Sequence, residues 1–255
     1  GTHFQIKGPL NVPRSPQGHP VVIQAGASGR GHKFAGRWGE VIFAAGRNTE
    51  MAKPNYDAVK NEAIKLGRNP DHIFICNMLM PVTGATQMEA EDRMAVIGKL
   101  PLEIDALSLL SEGLNFDFAS RGMDEPLTDD DLRSMQGIIG IRDNVVRKSG
   151  KKNPTPREFV VHSGRGQTES AVVGDPKTIA DYMEEMFESR ACDGFVVAAT
   201  YVPGAYADFV KHVVPELQRR GLYHKDYKGK TLRENLGLPV PKIGDWKTSP
   251  QVAAE

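Results

Sequence analysis

The sequence predicts an α/β protein built on a parallel sheet covered by helices. Short apolar runs rich in Val, Ile and Phe alternate with segments of good helix formers. The runs are apolar at successive positions, as a strand buried on both faces requires, and most of them end in a Gly-bearing turn. Alternation of strand and helix is the pattern that places parallel strands side by side with helices over them.

The elements follow in order. "GPLNVPRSPQGHP", Gly8 to Pro20, holds too many prolines for a helix or a central strand and reads as an extended lead-in. Val21–Ile23 is the first strand, and a short helix follows over about Gly31–Gly39. Glu40–Gly46 is the second strand. "TEMAKPNYDAVKNEAIKLG" is helical, with Thr49 as a cap, Gly67 as the stop and Pro54 moving the start to a point after Asn55. His72–Val82 is the third strand run, followed by a long helix in "GATQMEAEDRMAVIGKL". From about Leu100 to Val172 the rhythm stops, leaving helical patches, polar loops and the Gly-rich "HSGRGQTES". This stretch is expected to be an insertion. The rhythm returns with the capped helix "GDPKTIADYMEEMFESRAC", a turn at Asp193-Gly194, the strand "FVVAATYVPG" and a last helix carrying Pro215. Four strands are legible. A closed (β/α)8 barrel needs eight, so within such a barrel this chain would carry about half.

Bulk composition removes several classes. Lys+Arg and Asp+Glu are 32 each, so no net field gathers nucleic acid or anionic lipid. No apolar run approaches the roughly 20 residues of a membrane helix. The N-terminal residues show no basic start followed by an apolar stretch, so no leader is read there. Cys76 and Cys192 are isolated, which suits a reducing compartment, and a cytoplasmic location is expected. The seven histidines show no metal-ligand spacing, and no metal site is assigned. "DEPLTDDD" is accounted for as an N-cap cluster. Arg121, Arg142 and Arg165 would suit an anionic substrate, although solvation accounts for each of them. No catalytic side chain is assigned.

The turn "QAGASGRG" is the one stretch that points to a ligand. Gly26, Gly29 and Gly31 give G-x-x-G-x-G, which is not the dinucleotide G-x-G-x-x-G. The short-chain dehydrogenase turn comes nearer but is one residue short. The Tyr56/Lys60 pair that would go with it lies one helix on, where that family has several strands between. No Gly-Lys-[Ser/Thr] follows, so a triphosphate loop is excluded. Two readings stay open on the residues alone. Backbone amides at a strand-to-helix turn bind a phosphate, helped by Ser28 and Arg30, or the glycines merely permit the bend.

Four blocks carry a resemblance: "GPLNVPRSPQGHPVVIQAGASGRGHKFAGRWGEVIF", "VGDPKTIADYMEE", "ACDGFVVAATYVPGAYADFVKHVVPELQRRG" and "TLRENLGLPVP". In these the chain resembles the bacterial-luciferase-like flavin-dependent monooxygenases, in the group that includes nitrilotriacetate, dibenzothiophene-sulfone and long-chain alkane monooxygenases. The resemblance runs from about Thr2 to Pro241 and is loose over the insertion. It implies a TIM barrel of which residues 1–241 form the C-terminal half, with 100–172 inserted over the active site and 242–255 as a polar tail. It implies reduced FMN supplied by a separate NAD(P)H:flavin reductase, and dioxygen as co-substrate. A small organic molecule would be oxygenated through a flavin C4a-hydroperoxide by a protein that is a homo-oligomer. In the family's "QAG-x-S" turn the Ser contacts the flavin phosphate. That role falls on Ser28, with Gly26 and Ala27 as backbone neighbours, while flavin-ring contacts and catalytic side chains are expected upstream of Gly1. The alternatives are a short-chain-type NAD(P)-dependent reductase and a non-catalytic half-barrel remnant.

Overall fold

The computed structural model describes every residue except 1, 9, 10, 27, 165–170 and 245–255. The chain forms two compact units, drawn from Gly1–Met78, Glu184–Val196 and Gly221–Glu255, and from Leu79–Met183 and Val197–Arg220.

In the first unit, β1 (Ile23–Ala25), β2 (Val41–Ala44) and the start of β3 (Phe74–Thr83) pair in parallel, with Ile23 opposite Val41 and Val41 opposite Phe74. Between them run α1 (Gly29–Trp38) and α2 (Thr49–Lys65). Ala35, Ile42, Val59, Ala63, Ile73 and Ile75 form the core. α1 and α2 touch through Gly36, where a Cβ would lie 2.6 Å from the Glu62 Cβ and 3.0 Å from the Ala63 nitrogen, so a larger residue would force the helices apart. Arg68 donates to the carbonyls of Gly36 (2.8 Å) and Gly39 (2.9 Å), satisfying the C-terminal end of α1. Contrary to expectation, α2 does not wait for Asn55. It starts at Thr49, capped by the Asn48 side chain accepting from the Met51 amide at 2.9 Å. That cap and the Ala52-to-Asn48 backbone bond (3.0 Å) hold the first turn, so Pro54 costs only the bond to the Glu50 carbonyl.

One buried ion pair fastens the ends of this unit. Arg233 sits in α11 (Leu232–Asn235), whose four residues are held by the Thr231/Glu234 capping box. It is 1% exposed. Its guanidinium meets Glu40 in a two-pronged contact of 2.6 and 2.8 Å and donates to the Pro239 carbonyl at 3.2 Å. Glu40 in turn accepts from the Val22 amide at 2.9 Å, and the Arg233 amide donates to the Gln17 side chain at 3.2 Å.

In the second unit the end of β3 pairs with β4 (Ala171–Gly174), Met80 lying opposite Ala171. The sequence reading stopped at four strands and placed Ala171 and Val172 at the end of the insertion. Among the described residues there are five strands, because "AVVG" is too short to stand out by periodicity and is recruited by the longer β3. After β3 come α3 (Gln87–Ile97), α4 (Glu103–Leu114), α5 (Asp129–Ser134), α6 (Ile139–Ser149) and α7 (Pro156–Ser163). Residues Ala106 to Val160 build their own core around Leu110, Leu114, Phe118 and Phe159. The Phe118 ring packs edge-on to Phe116 at 5.0 Å and tilted to Phe159 at 5.1 Å. The acidic stretch is a cap, as expected: Thr128 and Asp131 form a capping box. The Arg121 hydrogen bonds and the Thr128 amide bring the Asp131 carboxyl down to about 2.

α8 (Pro176–Glu188) and β5 (Gly194–Val197) follow. β5 pairs with β3. The expected last helix is interrupted: α9 (Gly204–Asp208) passes through a π turn, Phe209–Val213, into α10 (Val214–Arg219). Pro215 has no N–H for the Lys211 carbonyl and its ring would crowd that oxygen, so the turn before it widens.

Two outcomes are expected from these contacts. Arg233→Met strands Glu40 and lowers stability by about 3 kcal/mol, read as a lower urea midpoint at unchanged slope. Burial raises the Glu40 carboxyl, but the Arg233 and Val22 hydrogen bonds and the Arg233 charge together hold it below its ordinary value. Its contribution is therefore present above the usual glutamate pKa of about 4.3 and lost as pH falls through the lower folded value. Arg233→Met should flatten that part of the acid limb. Separately, a Cβ at Gly137 would lie 2.0 Å from the Gly113 carbonyl oxygen, so Gly137→Ala should cost about 3 kcal/mol in the same assay.

Candidate functional site

β1 ends at Ala25, and the chain turns through Gly26 at φ +137°, a conformation that favours glycine. Ser28 is the N-cap of α1, its hydroxyl oxygen accepting from the Gly31 amide at 3.1 Å. That bond uses the oxygen as an acceptor and leaves the hydroxyl hydrogen to give. The amides of Gly29 and Arg30 lie in the first turn, where no intrahelical carbonyl reaches them. The first turn contains no acidic residue, and Ser28, Gly29 and Arg30 are all exposed. Nothing within 4 Å would meet a Cβ at Gly29, so the approach to these amides is open. The donor set suits an anionic oxygen cluster such as a phosphate: two amides, one hydroxyl, the positive end of a ten-residue helix and the exposed Arg30. His32 joins its neighbour Asn55 instead, ring Nε2 to side-chain oxygen at 2.9 Å. Ala27, named with Ser28 and Gly26, lies outside the described residues.

The reductase alternative does not survive the geometry. Tyr56 donates to Asp193 Oδ1 at 3.1 Å, and Lys60 Nζ lies 2.9 Å from Asp193 Oδ2. Lys60 also donates to the carbonyls of Pro70 (2.9 Å) and Ile73 (2.6 Å), and Asp193 accepts from the Ile75 amide at 2.9 Å. The two side chains are the clasp that ties α2 to β3 and to the residue before β5. Burial first, then Asp193, raises the Tyr56 hydroxyl, the reverse of what a tyrosine proton donor needs. Sequence reasoning missed Asp193 because its partners lie more than a hundred residues away.

Other candidates are likewise engaged. Arg121 bonds both Asp131 oxygens at 3.1 Å, and Arg142 is shared between Asp143 and the Leu132 carbonyl. Arg165 lies outside the described residues. Burial pushes Cys76 up to about 11 and Cys192 up to about 12, so both stay protonated thiols at neutral pH. Among the described residues no group of His, Cys, Asp and Glu is placed to hold a metal, and no helix is long and apolar enough to cross a membrane.

A groove of about 630 Å³ lies in the second unit. Val96, Ile97 and Leu100 of α3 and its extension form one side, and Tyr201 and Asp208 line it from the chain that follows β5. Arg93 Nη1 donates to the Tyr201 hydroxyl at 2.8 Å and pairs with Asp208, while Nη2 meets Glu89 at 2.9 Å. Tyr201 donates to Asp208 at 2.5 Å. Burial first, then the Asp208 hydrogen bond, raises the Tyr201 hydroxyl and keeps it protonated. Arg93 and Tyr201 are 108 residues apart, and no local signal joins them.

The Ser28 turn and the strands around it lie within a span that matches known proteins. The family described as "Luciferase-like monooxygenase" matches residues 1–213. Dibenzothiophene-sulfone monooxygenase of Rhodococcus erythropolis is 36% identical over 256 residues, covering 95% of this chain and 54% of the relative. Nitrilotriacetate monooxygenase component A of Aminobacter aminovorans is 36% identical over 243 residues, covering 95% and 53%. Among solved structures, a riboflavin lyase with modified FMN and riboflavin superposes with a TM-score of 0.77 at 30% identity, covering 94% of this chain and 52% of that one. The chain thus spans about half the length of the relatives it matches. A family match over residues 1–213 includes the Ser28 turn, the parallel strands and the helical stretch between β3 and β4, and by it this chain belongs to the luciferase-like monooxygenase family.

Proposed function

We propose that the chain is part of a two-component FMN-dependent monooxygenase and that the Ser28 turn holds the phosphate of the flavin. The observation that carries this is the open donor set at the start of α1, in a chain of the luciferase-like family. The Ser28 hydroxyl donates to one phosphate oxygen while its own oxygen keeps the Gly31 amide. The Gly29 and Arg30 amides donate to the others, and Arg30 adds charge. Gly26 gives the chain the turn that aims these groups. When bound, reduced FMN supplies the activation of dioxygen for transfer of one oxygen atom to an organic substrate. Reduced FMN comes from a separate NAD(P)H:flavin reductase, in keeping with the words "component A" in the name of the nitrilotriacetate relative. Residues 100–172, of which Ala106 to Val160 build their own apolar core, serve as a lid that limits water around the substrate.

The phosphate role separates from the capping role by substitution. Ser28→Asp keeps an acceptor for the Gly31 amide and so keeps the helix cap, but it puts a negative charge where the phosphate sits. Thermal stability should stay within about 0.5 kcal/mol while affinity for reduced FMN, measured anaerobically, falls by at least about a hundredfold. Ser28→Ala should lose about tenfold in FMN affinity and about 1 kcal/mol of stability. Equal affinity for FMN and riboflavin in the unsubstituted protein would sink the phosphate assignment.

A further inference from the structure

The groove between α3 and the Tyr201–Asp208 stretch carries information about what it takes. Val96 and Leu100 are 62% and 66% exposed along its side. Ile97 and Tyr201 line it with them, and apolar surface left open to water in a concavity of this size is the mark of a site for an apolar occupant. Both contributing segments follow strands of the parallel sheet. α3 comes after β3, and Tyr201–Asp208 come after β5.

Charge selects among apolar occupants. Besides Tyr201, the ionisable lining groups are three carboxylates, Glu89, Asp92 and Asp208, and one guanidinium, Arg93. Arg93 has already given its two terminal nitrogens to Tyr201, Asp208 and Glu89. The Tyr201 hydroxyl already donates to Asp208. An anionic ligand therefore meets carboxylates and finds no uncommitted cation, whereas an uncharged ligand loses nothing to this rim and gains the apolar surface.

We propose that this groove binds an uncharged apolar organic molecule and excludes anionic ones. The binding does not rest on the monooxygenase reading, and it is measured without flavin. The test is a series of eight-carbon ligands differing only in head charge: 1-octanol, octanoate and octylammonium, titrated calorimetrically into the protein. Octanol should bind at least about tenfold more tightly than octanoate. Val96→Asp and Leu100→Asp, both at exposed positions, should each weaken octanol about tenfold or more while the melting temperature holds. Asp92→Lys should improve octanoate and leave octanol unchanged. Ser28→Asp should leave octanol binding intact, so failure of the flavin site and failure of the groove read out separately. Equal binding of octanol and octanoate, octylammonium binding tenfold more tightly than octanol, or octanol binding indifferent to Val96→Asp and Leu100→Asp would each overturn the proposal.

Discussion

The contact between Arg233 and Glu40 sets the geometry on which the first unit depends. Glu40 stands one residue before β2 and accepts from the Val22 amide one residue before β1, so a single carboxylate aligns the starts of two neighbouring strands. Arg233 neutralises it from a segment almost two hundred residues later and is itself nearly sealed from water. A buried charge pair of this kind adds little net stability over an apolar substitute, but breaking it leaves an expensive orphan. Its consequence is positional. With the start of β1 fixed, the strand delivers Gly26 and Ser28 to one place at its far end, where α1 begins.

The Asp193 clasp works by the same logic at the other edge of this unit. One carboxylate accepts from Tyr56, Lys60 and the Ile75 amide. It therefore binds α2, β3 and the approach to β5 without any of them contributing a catalytic group. The Tyr-x-x-x-Lys spacing that resembles a reductase pair is a by-product of two side chains one helical turn apart reaching for the same anion. Spacing alone does not separate these roles, because a helix face presents the same residues to a substrate or to a neighbouring carboxylate.

The two candidate sites differ in how they are built, and the difference explains why one was legible in the sequence. The Ser28 turn is local. Its cap, its glycines and its free amides lie within six residues, so their order along the chain is their arrangement in space. The groove brings α3 together with Tyr201 and Asp208, and its character depends on whether Arg93 is free or engaged. In sequence, Arg93 is one of 32 basic residues; in the structure its fork is occupied, which leaves it no free donor for an anionic ligand.

The sequence by itself determined the α/β class and the strand that ends at the Gly turn, and its resemblance pointed to the family and to Ser28. The first two follow from periodicity and turn residues, the last two from long blocks of matching sequence. Tertiary structure decided the rest. It made a strand of "AVVG", which is too short to form one without β3 beside it. It started α2 at Thr49 despite Pro54, because Asn48 caps the turn. It closed Tyr56, Lys60 and Asp193 into one cluster. Each of these outcomes turns on a partner distant in the chain or on one cap among several possible ones, and the energy of such a choice is set by burial and packing that only the folded chain possesses.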